Sequence, residues 1–279
     1  MTTINKQILS SLLVMANVVE ARDAYTGGHL WRVSQYSQLL AQKLGLPAKE
    51  VARIKVSGFL HDLGKVGVPD SILLKTGALT EDEYQVIKTH PVIGGEIIKE
   101  HPFADLVSDV IQHHHERVDG KGYPDNLRGE AFSLASRIVS IVDAFDAMTS
   151  TRPYRRGMPI DRALFILGEE REKQFDAELV QAFLAVSKSD ALKHIVLHSD
   201  EGVSLVHCSM CGPIVHISRK ARDGDIVYCH SCRGGLRLHR EGQGFTSELT
   251  GSKGSASSVK PQADMDVVNT LVSQVPAVL

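Results

Sequence analysis

Along its first 145 residues the chain carries an ordered series of imidazoles and carboxylates: His29, the doublet His61-Asp62, His90, the run His113-His114-His115, and Asp143. Imidazole nitrogens and carboxylate oxygens are the donors used by hydrolytic Zn, Mn and Fe centres, and a carboxylate such as Asp62 has two oxygens with which to bridge two ions. The set points to metal-assisted hydrolysis. The sequence has no P-loop and no GxGxxG nucleotide signature that would point elsewhere.

Any one of these residues alone would be read as a satisfied buried polar group or a solvated one. Their placement on predicted helices argues for more. His29, Val33, Tyr36 and Leu40 recur at helical spacing, as do Val51, Ile54, Gly58 and His61, so both histidines fall on apolar stripes. In RIVSIVDAFDAM, Asp143 and Asp146 share a face with Val139 beside the stripe Ile138, Ile141, Phe145 and Met148. A carboxylate on a buried face is costly unless it is paired or binds a metal. Neighbouring residues on a helix point about 100° apart, so two of three consecutive histidines can reach one cleft and the third cannot easily follow.

The chain resembles the HD-GYP phosphodiesterases, a branch of the HD-domain metallohydrolases. The blocks that carry the resemblance run in order: EARDAYTGGHLWRV, FLHDLGKVGVPDSILLKTGALTEDE, KTHPVIGGEII, HHERVDGKGYPDNLRG, RIVSIVDAFDAMTSTRPYR and QFDAELVQAF. The resemblance implies a mainly α fold, an HD-domain helical bundle with two or three metal ions, Fe or Mn, that hydrolyses cyclic di-GMP. It implies one metal set of His29, His61, Asp62 and Asp143, and a second of Asp62, His90, His114 and His115. Asp62 bridges the two, His113 stands outside, and Asp146 and Glu116 are expected to support ligands from behind. Lys65, Arg152 and Arg155 match positions that meet substrate phosphate, so Asp62, Lys65, Arg152 and Arg155 form the implied catalytic set. Gly64, Gly67 and Pro69 are expected to break the helix and leave Lys65 at its end, where a cation would also suit the helix dipole. DGKGYP is a turn by composition; the resemblance sets Gly122, Tyr123 and Pro124 beside the cleft, facing substrate or a GGDEF-domain partner, and a rigid connector is the equal alternative.

All four cysteines follow this region, as Cys208-x2-Cys211 and Cys229-x2-Cys232 with 17 residues between the pairs. Two such knuckles flanked by short β-type runs predict a C-terminal β-rich zinc ribbon over 203–241, holding one structural Zn. The nearby His207, His216 and His230 are then not ligands.

With 279 residues, 43% of them hydrophobic, the chain can bury a large domain, expected over 1–190, with the ribbon as a smaller companion. A net charge of −2 leaves no electrostatic footprint for duplex DNA. The apolar stretch Ile8 to Val19 is too short to span a bilayer and lacks a signal-peptide pattern, so the expected location is cytoplasmic, without membrane insertion. Residues 246–279, rich in Ser, Gly and Lys at first, are expected to be a flexible tail with a short helix at most. The substrate expected is a cyclic dinucleotide, cleaved to pGpG or GMP; a regulatory module that only senses such a molecule, and a ribbon that recognises protein or nucleic acid, are the competing readings.

In some proteins of the family that the chain resembles, a glutamate four residues before the first histidine helps hold a third metal, and here that position is Tyr25. A neutral phenol, with a pKa of about 10, is a poorer hard-metal ligand than a carboxylate. The cleft should therefore hold two ions. Anomalous scattering at the metal edges checks this, and three reproducible peaks in the cleft would contradict it.

Overall fold

The computed structural model describes residues 3–23, 26–75, 77–151, 156–187, 192–201, 203–215, 217–242 and 244–275. Tyr25, Arg152, Arg155 and His216 lie outside the described residues. Among the described residues ten α-helices build the first part: α1 (Thr3–Arg22), α2 (His29–Lys43), α3 (Ala48–Leu60), α4 (Asp70–Leu73), α5 (Glu81–Ile87), α6 (His90–Ile98), α7 (Ala104–His113), α8 (Leu134–Thr149), α9 (Ile160–Glu169) and α10 (Ala177–Val186). Helix α2 is central, packed against α3, α8 and α10, while α7 lies on α3 and α6. Its apolar stripe behaves as the periodicity predicts: Val33, Tyr36 and Leu40 are buried together with His29. Tyr36, Phe145 and Phe183 lock α2, α8 and α10 through edge-to-face contacts, with centroids 5.3 Å apart for Tyr36 and Phe145 and 5.1 Å for Phe145 and Phe183.

Seven short strands follow: β1 (His198–Asp200), β2 (Val203–Ser204), β3 (Val206–His207), β4 (Ile214–Val215), β5 (Ile226–Tyr228), β6 (Gly234–Glu241) and β7 (Gly244–Lys253). They pair antiparallel as β1-β2, β3-β4 and β5-β6-β7. The sheet thus runs past the expected ribbon boundary at 241, because β7 pairs with β6 from Glu241↔Gly244 to Gly234↔Lys253. Alternation along β6 buries Leu236 and Leu238, which supply the small cores of this module.

The described part of the expected tail also carries structure, as far as Val275. Helix α11 (Met265–Gln274) begins at an Asp264 cap whose carboxylate accepts from the Asp266 and Val267 amides, and it lies on α1. Val267, Val268 and Leu271 are buried in the core of the helical bundle. Its apolar face, marginal in isolation, has a partner that local composition cannot announce. Two polar ties fix the register: the Asp264 amide donates to Asn17 Oδ1 at 2.6 Å, and the Lys55 ammonium donates to Gln38 and Gln274, each at 2.6 Å. Burial lowers the Lys55 pKa to about 8.

Leu271→Ala should lower the unfolding free energy by roughly 2–5 kcal/mol, the usual range for a buried leucine. Urea unfolding followed by far-ultraviolet circular dichroism measures it, and an unchanged midpoint would mean that α11 is not part of the cooperative core.

Candidate active site

The histidines come to the cleft from helix ends. His29 and His90 open α2 and α6, His61 and His114 close α3 and α7, and Asp143 projects from within α8. At such ends a side chain can leave the helix face toward a common point. The turn between α3 and α4 is a 3-10 segment, Leu63–Gly67, and it is pressed against α6 so closely that a Cβ on Gly64 would lie 1.9 Å from the His90 carbonyl oxygen. Glycine is required there for His61-Asp62 and His90 to share one cleft.

Each of four imidazoles is fastened at Nδ1. His61 donates to the Gly58 carbonyl at 2.7 Å, His90 to Ile87 at 2.7 Å and His114 to Val110 at 3.0 Å, while His29 donates to Asp146 Oδ2 at 2.8 Å. A hydrogen on Nδ1 leaves Nε2 with its lone pair free, and all four Nε2 atoms point inward. His29 and His61 approach at 3.3 Å, and His90 and His114 at 3.2 Å. Asp62 divides its oxygens between the two pairs. Oδ2 stands 3.5 Å from His29 Nε2 and 3.4 Å from His61 Nε2, and Oδ1 stands 3.4 Å from His90 Nε2. Asp143 Oδ1 completes the first group, 3.3 Å from His29 Nε2.

Three clusters of donor atoms result, each within 4.8 Å: His29, His61 and Asp143; His90, His114 and His115; and His61, Asp62 and His114. Neighbouring donors in an octahedral shell with bonds of about 2.1 Å stand about 3 Å apart, so these spacings fit two ions sharing Asp62. Protonation fits at His61, His90, His114 and His115, since a ligand imidazole must be neutral, whereas His29 would have to give up a proton to bind an ion. Burial pulls His61, His90 and His114 down to about 4 and His115 well below its ordinary value. Burial also disfavours charge on His29, but the Asp146 and Asp62 carboxylates outweigh it and lift the pKa to about 9. Burial opposes ionisation of Asp62 too, yet the nearby Lys65 and imidazoles hold its carboxyl well below the usual range.

Asp146 stands behind His29, as expected, but its own partner escaped the sequence reading. The buried Arg32 grips it with Nε at 2.6 Å from Oδ1 and Nη2 at 3.0 Å from Oδ2. Arg32 Nη1 also reaches the His198 carbonyl at 2.9 Å, so the strand module touches the support of the first ligand. Glu116 requires a correction. Its carboxylate orients no imidazole and instead accepts from the Asp125 amide at 2.7 Å and the Leu127 amide at 3.0 Å, clamping the loop after the GYP turn. His113 points away from the cluster, between Asp109 and Asp125.

Lys65 sits inside the 3-10 turn beyond the end of α3, with Nζ 2.6 Å from Asp62 Oδ2. Gly122 is buried, and a Cβ there would lie 2.5 Å from the Arg117 amide and from Glu116 Cα, so its small size serves loop packing. Tyr123 stacks on His115 with centroids 4.8 Å apart. Gly122 and Tyr123 line the cleft, while Pro124 is not among the residues that do. The cleft has a volume of about 860 Å³, and its wall carries cations that the sequence reading did not single out: Lys75, Lys88, Arg117 and Lys121.

The four cysteines form a separate cluster, with Cys208 and Cys232 Sγ 3.6 Å apart and Cys211 and Cys229 Sγ 3.5 Å apart. A disulfide would need about 2.05 Å. Tetrahedral Zn–S bonds of about 2.3 Å put sulfurs about 3.8 Å apart, close to what is seen.

A model of the HD domain family matches residues 13–179. The chain belongs to the HD domain family, and its cysteine module lies beyond the matched segment. Over 186 residues it is 42% identical to the cyclic di-GMP phosphodiesterase response regulator RpfG of Xanthomonas campestris, covering 66% of this chain and 49% of that protein. It is 37% identical to the 3'3'-cGAMP-specific phosphodiesterase 3 of Vibrio cholerae, over 69% of this chain and 40% of that one. The chain thus spans half or less of the length of these relatives. Among solved structures, an HDG"Y"P protein from Bdellovibrio bacteriovorus superposes with a TM-score of 0.51 at 24% identity, over 60% of this chain and 54% of that one, a likeness of fold.

Asp146→Asn keeps the shape but weakens the hold on His29 Nδ1 and unbalances Arg32. Cleft-metal affinity should fall by about ten- to hundredfold, the usual effect of losing such a support. Competition with a calibrated chelator measures it, and unchanged affinity would mean that His29 is held without its carboxylate.

Proposed function

We propose that the chain hydrolyses cyclic dinucleotides in the cleft built around Asp62. The observation that carries this reading is the division of Asp62, one oxygen toward His29 and His61 and the other toward His90. His29, His61, Asp62 and Asp143 would hold one divalent ion, and Asp62, His90, His114 and His115 the other. Such a pair, when bound, lowers the pKa of water and offsets charge on the attacking and leaving oxygens of a phosphodiester.

The chain's own residues do the remaining work. The carbonyls of Gly58, Ile87 and Val110 keep the Nδ1 protons of His61, His90 and His114 in place, so no imidazole has to reorient when substrate arrives. Lys65, at the lip of Asp62, neutralises a phosphate oxygen beside the donor cluster. Tyr123, stacked on His115, makes that part of the wall aromatic. Arg152 and Arg155 are proposed as further phosphate partners from the resemblance alone. The relatives named for cyclic di-GMP and for 3'3'-cGAMP support a cyclic dinucleotide as the substrate class, with pGpG and then GMP as the proposed products.

The deciding experiment loads the protein anaerobically with Fe or Mn and separates the products formed from cyclic di-GMP and 3'3'-cGAMP. Metal-dependent cleavage of at least one is expected, and cleavage of neither defeats the proposal. Asp62→Ala should abolish turnover while circular dichroism stays helical, because among the described residues no other carboxylate forms contacts with both imidazole pairs; near-normal turnover with full metal content would contradict the assignment.

The cysteine cluster is proposed to hold one structural Zn. Replacing Cys208 and Cys211 with serine should remove about one equivalent of zinc and expose residues 203–241 to protease. Unchanged zinc content and protection would rule the site out.

A further inference from the structure

Behind the donor cluster, a column of side chains runs outward along one wall of the cleft. His115 stacks on Tyr123, and the Lys88 ammonium lies 4.9 Å from the centroid of the Tyr123 ring and 5.8 Å from that of Tyr84. Lys88 caps the C-terminus of α5, two residues before His90 opens α6, so its backbone is fixed by the same turn that delivers a donor imidazole. The other basic groups of the wall each face a carboxylate or are exposed. Lys65 pairs with Asp62 at 2.6 Å, Lys75 with Glu83 at 2.5 Å and Arg117 with Asp119 at 2.9 Å, while Lys121 is exposed. Among the described residues no carboxylate forms an ion pair with Lys88. Two ring faces hold its charge without neutralising it.

A cyclic dinucleotide has two phosphodiesters on one ring. When the scissile one lies at the Asp62 cluster, the other carries its charge to a different part of the wall and needs a cation there. Resting on the reading of the cleft as a cyclic-dinucleotide hydrolase, we infer that Lys88, held between Tyr84 and Tyr123, binds the phosphodiester that is not being cleaved. The residue thereby distinguishes a substrate with two phosphates from one with a single phosphate. The ammonium donates charge-assisted hydrogen bonds to the non-bridging oxygens, and the tyrosines limit how far it can swing.

The test compares the metal-loaded full chain with its Lys88→Gln and Lys88→Arg variants on cyclic di-GMP, 3'3'-cGAMP and bis(p-nitrophenyl) phosphate, a diester with one phosphate. In Lys88→Gln the KM for the cyclic dinucleotides should rise by about tenfold or more relative to the KM for the single-phosphate diester, the scale of one lost charged hydrogen bond. Lys88→Arg should restore most of the difference. Tyr84→Ala should produce a smaller change of the same kind. A KM that rises equally for both kinds of substrate, or for neither, overturns the inference while leaving the hydrolase reading intact. Wild-type protein that cleaves the single-phosphate diester and neither cyclic dinucleotide overturns the hydrolase reading and this inference with it.

Discussion

Asp62, itself largely buried at the floor of the cleft, stands with its two oxygens toward different imidazole pairs. An ionised carboxylate there is tolerable only if positive charge meets it from more than one side. That requirement explains much of the architecture around it. Helix ends rather than helix faces deliver the histidines, because only at an end can four rings from four helices turn their Nε2 atoms to one point. The squeeze of Gly64 against the His90 carbonyl brings the two halves of the cleft within reach of one carboxylate. Lys65 is the one lysine or arginine in direct contact with Asp62 among the described residues.

Residues that act through their own position were legible in the sequence, and residues that act through long-range partners were not. The burial of His29 with Val33, Tyr36 and Leu40 follows from helical spacing, and so does the shared face of Asp143 and Asp146. The angular step of a helix says that three adjacent histidines cannot easily share one cleft, and the resemblance singled out His113 as the one outside. Arg32 gave no such signal, because its partner is 114 positions away. Glu116 misled for the opposite reason. A glutamate beside two histidines suggests support for them, but its side chain turns to amides nine and eleven residues further on, satisfying a loop that composition describes only as a turn. Lys88 stands in a recognisable block, yet its meaning depends on a tyrosine from another loop.

The C-terminal part shows the same limit on a larger scale. The cysteine spacing announced a compact β module, because its organising contacts are local. The Ser- and Gly-rich stretch after it reads as a linker but pairs as β7, since a strand in a hairpin draws its hydrogen bonds from the neighbouring strand whatever its composition. The module is also not an isolated appendage. Ile214 packs on Gly27, the Ser199 backbone fills the space that a side chain at Gly28 would need, and His198 offers its carbonyl to Arg32. The strand module therefore reaches the turn that opens α2, immediately before His29.

Helix α11 has a consequence for how the molecule is made. It completes the face of α1, from which it is separated by the whole helical bundle and by every strand of the cysteine module. During synthesis the first helix leaves the ribosome long before its partner exists, so Leu9, Leu12 and Leu13 wait beside a gap that the chain itself has not yet produced. Contacts between such distant segments are slow to close, and apolar surface left open meanwhile invites other chains. The core face of α1 is thus closed by a segment made after every other element, and it stays incomplete until Val268 and Leu271 have emerged.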